Sequence, residues 1–453
     1  MIGRNSELKA LQQWYEQDGN QLVILYGRKD IGKKELLKEF CRDKKVMYYN
    51  ARQASPQLQR QMFGAEIQNK YKITIQEFEY ETFFTRIRSG DASKLVLIIN
   101  DFEHIIKKDE SFIQNIQKLK EKKLYPGPVM IILCSSSIVW VENDMVKCLG
   151  NCAKKVSGVS KIGELDFVDV VHLFPNYSVK ESIQVYGVLG GVPGYLTRWN
   201  EKESLKDNIC RHILSKDGFL YDEAQRYIGA ELRELSVYNT ILSAIASGRS
   251  KLNDLFQFTG YTRAKISVYL KNLMEFEVVE KVVPFETGGW NNAKKGLYQI
   301  KNTFVHFWFR FVYPHLSDLY LMTEEEFYDT WIAPEITEYL NGAFQKVCME
   351  YLELMSMVNQ LPIKVHKIGT WIGKQGNIDI IAQNSVRENI VGLCSFSKGI
   401  LTEEMYQQLL VSMEQARVKA KKCYLFSAGD FDENIRKKAA EDDRIVLVDM
   451  NRL

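Results

Sequence analysis

The sequence predicts an α/β protein that opens on a parallel sheet covered by helices on both faces. Three short apolar runs carry this expectation: Gln21–Tyr26 (Gln-Leu-Val-Ile-Leu-Tyr), 94–99 (Lys-Leu-Val-Leu-Ile-Ile) and 129–133. Continuous apolar runs of this length, without polar alternation, mark strands buried on both faces. Helical stretches such as Lys33–Phe40 and 110–122 lie between them, and strands alternating with helices indicate a parallel sheet.

The chain then changes character. Residues 160–230 read as short helices, punctuated by Gly190-Gly191-Val192-Pro193-Gly194. Apolar residues at helical spacing follow over 237–247, then a short helix at 252–259, a third at 262–276, and a hairpin opening at 278–284. Three helices followed by a β-wing is the order of a winged helix-turn-helix. Residues 297–315 are rich in aromatics (Tyr298, Phe304, Phe307, Trp308, Phe309, Phe311, Tyr313), the composition of a packing hub. A second α/β segment closes the chain: a helix over 339–355, strands at 362–368, 377–382 and 390–397, a helix at 402–420, and strands at 422–427 and 444–449. The expected boundaries are 1–158 for the sheet domain, 159–230 for a helical lid, 231–290 for the winged helix, 291–335 for an aromatic connector and 336–453 for the C-terminal module.

The 453 residues, 45% of them hydrophobic, suffice for two to four domains with cores of their own. Lys plus Arg (60) nearly balances Asp plus Glu (57), so binding to a polyanion requires a local patch, not a global field. The eight cysteines contain no Cys-x-x-Cys pair; Cys148 and Cys152 are the closest two, without partners at zinc spacing, and no metal site is expected. The N-terminus lacks the basic-then-apolar pattern of a secretory signal, and no run of 18 apolar residues occurs; a cytoplasmic protein without a membrane partner is expected.

The first apolar run leads into Gly27-Arg28-Lys29-Asp30-Ile31-Gly32-Lys33-Lys34. This fits the phosphate-loop pattern G-x-x-x-x-G-K, and it sits between a buried strand and a helix, as that pattern requires. Glycines at 27 and 32 let backbone N–H groups curl around a phosphate, and the following helix directs its positive end there. Lys33 would bridge the terminal phosphates. Position 34 normally carries Ser or Thr as a magnesium ligand; a lysine cannot serve. The second run ends Asn100-Asp101-Phe102-Glu103. An acid at such a strand tip holds magnesium in P-loop enzymes, and the next acid often activates water. Asn100 stands at the first place. Asp101, the candidate catalytic acid, stands at the second, where it can equally cap a helix. The third run leads into Ser135-Ser136-Ser137, whose hydroxyls either face a terminal phosphate or cap the next helix.

These stretches resemble the archaeal-type ATPases of the STAND group within the AAA-related P-loop proteins, a family also found in bacteria. The resemblance rests on Ile2-Gly3-Arg4 with Glu7-Leu8, on Gly27 to Leu37, on Leu133 to Ser137, on Leu189-Gly190-Gly191-Val192-Pro193, and on Phe307-Trp308-Phe309-Arg310-Phe311. It implies a P-loop NTPase sheet, a helical lid, a winged helix and a C-terminal α/β module similar to restriction endonucleases. It places Gly3 and Arg4 near an adenine, Pro193 over the base, and Gly27, Gly32 and Lys33 on phosphates of ATP or ADP. The family has Thr where this chain has Lys34, and Asp-Glu where it has Asn100-Asp101, so Mg2+ is doubtful. The nuclease pattern implied for the C-terminal module is a Glu, an Asp and a Glu-x-Lys. Here these positions read Gln345, Asp379 and Leu393-Cys394-Ser395, leaving Asp379 as a relic of a metal site.

The polar face of the third helix in the winged-helix region offers Arg263, Lys265 and Lys271 to DNA phosphates, although Glu275 and Glu277 repel them. Three readings stay open: a nucleotide-dependent switch with hydrolysis weak or lost; an active ATPase in which Asp101 compensates; and a non-catalytic DNA-binding or protein-binding scaffold.

Overall fold

The computed structural model describes residues 2–87, 93–125, 127–285, 296–373 and 376–453. Two compact units emerge: residues 1–164 with 192–194, and residues 165–191 with 195–453.

The first unit begins with α1 (Asn5–Glu16), followed by β1 (Gln21–Tyr26), α2 (Lys33–Phe40), β2 (Lys45–Asn50), β3 (Leu95–Asn100), β4 (Val129–Ser135) and β5 (Gly158–Lys161). The strands form one parallel sheet in the order β2-β3-β4-β1-β5. Every residue of β1 and β4 is buried, which accounts for their unbroken apolar runs. Leu22, Val23, Ile24 and Leu25 are 0% exposed; each such side chain contributes roughly 1.5–3 kcal/mol through burial. Because β4 lies between β1 and β3, the loops leaving all three carboxyl ends converge. The expected boundary at 158 falls at the start of β5, and the first unit runs on through Glu164. The four residues of β5 pair with β1, so the sheet holds them.

The second unit starts with short helices, among them Phe167–Leu173 and Val179–Leu189. The latter is capped by Ser178 and Glu181 in a reciprocal capping box. Leu165 N–H donates to Gly191 O at 2.7 Å. A Cβ at Gly191 would stand 1.9 Å from the Leu165 carbonyl oxygen, a backbone atom that cannot yield. Gly191→Ala is therefore expected to destabilise the protein by about 1–3 kcal/mol, measured as a lowered urea midpoint; an unchanged midpoint would contradict this packing.

Next come α3 (Leu235–Ala246), α4 (Leu252–Thr259) and α5 (Arg263–Glu275), then an antiparallel hairpin of β6 (Val279–Val282) and β7 (Leu297–Ile300). This is the element order expected of a winged helix. The hairpin's second strand lies beyond residue 290, inside the stretch expected to be connector, and residues 286–295 lie outside the described residues. Phe304, Phe307, Trp308, Phe309 and Phe311 are all buried, and Phe307 and Phe311 both pack on Tyr339.

Tyr339 belongs to α6 (Ile336–Met357), which precedes β8 (Lys367–Ile372), β9 (Asn377–Gln383) and β10 (Asn389–Ser395). Then follow β11 (Ile400–Leu401), α7 (Glu403–Ala416), β12 (Ala420–Ser427), β13 (Asp430–Phe431) and β14 (Ile445–Val448). The main sheet runs β14-β12-β10-β9-β8, antiparallel through β8, β9 and β10 and parallel through β10, β12 and β14. The strand expected at 362–368 lies instead at Lys367–Ile372. Among the described residues no helix is long and apolar enough to cross a membrane.

Candidate nucleotide site

The phosphate loop leaves β1 at Gly27, whose N–H donates to Ser135 O at 3.3 Å, tying the loop to the tip of β4. A Cβ on Gly27 would meet Ile162 O at 2.5 Å, so a side chain is excluded there. Gly32 caps α2 at φ 91°, in the left-handed region that favours glycine. Asp30 also lies there (φ 61°), one of two such aspartates in this site; the other is Asp101.

Lys33 opens α2 and is buried, 8% exposed. Its Nζ donates to Arg28 O at 2.9 Å and to Gly27 O, so the ammonium lies across the mouth of the loop. Burial lowers its pKa; Cys134, Asp101, Glu103 and Asp30 oppose that shift. The remaining loop residues divide by exposure. Arg28 is buried, with Nη1 3.7 Å from Glu164. Ile31 is buried; Lys29, Asp30 and Lys34 face solvent.

Arg4 and Pro193, both expected beside the base, touch the phosphate loop. Arg4 is 4% exposed, and its Nη2 donates to Ile31 O (2.9 Å) and Gly163 O (2.8 Å) while Nη1 meets Glu7 (3.0 Å). The guanidinium thus fixes the phosphate loop to the stretch after β5, and Gly3 (φ 66°) provides the turn before it. Pro193 lies beside Gly32, its Cγ 3.5 Å from where a Cβ would stand, and Gly194 N–H donates to Asp30 O at 2.9 Å. The turn at 192–194 clasps the phosphate loop itself.

The acids converge from β3. Asn100 donates through Nδ2 to Asn50 Oδ1 (2.7 Å) and to Asp101 Oδ2 (2.9 Å). Asp101, at φ 50°, accepts at Oδ1 from Ser136 Oγ at 3.1 Å. Ser136 thus orients Asp101, while Ser135 Oγ accepts from Ser137 N–H at 3.1 Å.

Sequence reasoning assigned no role to Glu103. It sits in the first turn of the short helix Glu103–Ile106, is 4% exposed and reaches Ser135. Burial, reinforced by the negative charge of Asp101, raises its pKa to about 7; a backbone N–H, Ser135 and Lys107 oppose the rise. A carboxyl whose folded pKa lies above its ordinary 4.5 stabilises the fold fully below pH ~4.5, and that contribution is lost as pH rises through about 7. Glu103→Gln stays neutral throughout. It is expected to gain on wild type as pH rises, by up to about 3 kcal/mol at pH 8. Urea midpoints at pH 5 and pH 8 test this; a difference independent of pH would contradict it.

In the C-terminal sheet the three nuclease-pattern positions do meet. Gln345 Nε2 donates to Asp379 O (2.6 Å) and Thr370 Oγ1 (2.9 Å), and Asp379 Oδ2 accepts from Cys394 N–H (2.8 Å). Burial raises the pKa of Asp379. Among the described residues no group of three or more His, Cys, Asp or Glu is placed to hold a metal ion. On α5 the DNA candidates are exposed but engaged: Arg263 donates to Asn253 (3.1 Å) and lies over Phe256, Lys265 lies over Tyr261, and Lys271 pairs with Glu275 (3.5 Å).

The chain matches two families. Residues 1–199 match the ATPase domain found predominantly in Archaea, and residues 308–419 match a family of archaeal and bacterial proteins of unknown function. An uncharacterized protein of Methanocaldococcus jannaschii is 28% identical over 384 residues, 84% of each chain. Solved structures with a similar backbone include the Walker-type ATPase PABY2304 of Pyrococcus abyssi (16% identity, TM-score 0.46, 68% of this chain and 96% of that one). Another is the ORC2 protein of Aeropyrum pernix in ADPNP–ADP complexes (11% identity, TM-score 0.44, 70% and 93%). Residues 1–199 therefore carry the ATPase domain of that predominantly archaeal family, and residues 308–419 resemble the second family.

Proposed function

We propose that this protein is a nucleotide-dependent switch that binds ATP or ADP at the Gly27–Lys33 loop and hydrolyses ATP weakly or not at all. One observation carries the reading: a complete phosphate cradle stands beside an incomplete metal set. The cradle suits phosphate, with glycines where a Cβ would clash or strain and Lys33 aligned across the mouth. The usual magnesium ligands do not fit. Lys34 offers an ammonium in place of a hydroxyl, and Asn100 spends its amide on Asn50 and Asp101. When bound, the nucleotide supplies the negative charge that Lys33 and the N-terminus of α2 attract. Pro193 and Gly194, already against the loop, give the nucleotide a means of moving the 192–194 turn.

Calorimetric titration with ATP and with ADP tests the binding half. Measurable affinity is expected for both, and no binding at millimolar nucleotide would sink the reading. The alternative, an ATPase in which Asp101 compensates, draws on the Ser136 hydrogen bond that holds that carboxylate at the strand tip. Steady phosphate release abolished by Lys33→Ala would favour it.

A further inference from the structure

We infer a second, separate binding site: a basic cleft in the C-terminal module that takes the phosphate backbone of a nucleic acid. The cleft encloses about 630 Å3 and is lined by Lys367, Arg387, Arg417, Lys419 and Lys421, with Glu388 as the one carboxylate. Glu388 is already paired with Lys421 at 2.6 Å. Among the described residues no ion pair engages Lys367, Arg387, Arg417 or Lys419, and each of them faces solvent. On a chain whose net charge is only +3, this concentration of unmatched cations around a concavity is local; such a field attracts a polyanion.

The backbone adds an independent observation. Arg387 (φ 65°) and Arg417 (φ 54°) both occupy the left-handed region. Arg417 caps α7, where a glycine is the ordinary choice. Two places that a glycine would fill with less strain thus carry arginines, and both line this cleft. Strained positions of this kind concentrate where a side chain has work to do. On the cleft wall Gln383 donates to Asn389 (2.8 Å), and Asn389 donates to Lys419 O (3.2 Å), fixing amide groups beside the cations.

The cleft lies at the end of the sheet opposite the nuclease-pattern positions. Gln383 and Asn389 pair across β9 and β10, whereas Asp379 and Cys394 meet at the other end of the same strands. No residue of α5 lines it, so it involves neither the nuclease-pattern positions nor the α5 cations. A concavity with cations along its walls suits a ridge of phosphates.

The test is fluorescence anisotropy of the full chain with a labelled DNA duplex across a salt series, beside an Arg387→Gly/Arg417→Gly variant. Glycine suits both backbone positions, so the variant should melt at or above the wild-type temperature. Its affinity should fall by roughly tenfold per arginine, and its slope of log K against log salt should be shallower by about two. Arg263→Ala/Lys265→Ala on α5 should leave both quantities unchanged. Equal affinity and slope in wild type and the glycine variant would overturn the inference, as would loss of binding in the α5 variant alone. Binding of anionic vesicles in preference to duplex would overturn it equally.

Discussion

Lys33→Ala should reduce ATP and ADP affinity by roughly 10- to 150-fold while leaving the fold nearly as stable. The first effect follows from the loss of charge-assisted hydrogen bonds to phosphate, worth about 1.5–3 kcal/mol. The second follows from two opposed terms. The ammonium is buried and its pKa is lowered by that burial, so removing it relieves a desolvation cost. Against this, the carbonyls of Gly27 and Arg28 lose a donor. A thermal melt checks the second effect and calorimetry the first. Equal affinity in the variant would mean that the loop does not hold phosphate.

The second large effect is a gain. Lys34→Thr combined with Asn100→Asp restores a hydroxyl and a carboxylate at the two positions where magnesium is ordinarily held. Asp101 and Glu103 are already in place at the tip of β3, the first held by Ser136 and the second in contact with Ser135. Magnesium-dependent phosphate release is therefore expected to rise by about 10-fold or more over wild type, a barrier change of roughly 1.4 kcal/mol. Either substitution alone should give less, because one ligand positions the ion poorly. A double variant no faster than wild type would show that more than these two ligands is missing.

How much could be read in advance follows from burial. Strands β1, β3 and β4 were legible because nearly all their residues are buried, which forces continuous apolar sequence. The edge strand β2 alternates exposed and buried residues over its second half, and β5 is four residues long; neither leaves such a run. The edge strand β8 is partly exposed along its length, so its pattern did not locate it. In the site, the turn through Gly27, Gly32 and Lys33 was legible because its pattern is local to one loop. Arg4 was not. Its partners Ile31 and Gly163 lie 27 and 159 residues away, and only the folded sheet shows that it braces the loop. Glu103 was written in the same stretch as Asp101, but its role depends on a helical turn that returns its carboxylate beneath Ser135.

The central claim is that this site holds nucleotide without depending on a metal. Titrating the wild-type protein with ATP in excess Mg2+ and again in a chelator tests it most directly. The account predicts dissociation constants within about threefold of each other, a difference under roughly 1 kcal/mol. Binding tighter by tenfold or more with Mg2+, or seen only with it, would contradict the account and return Asp101 to the role of a metal-site acid.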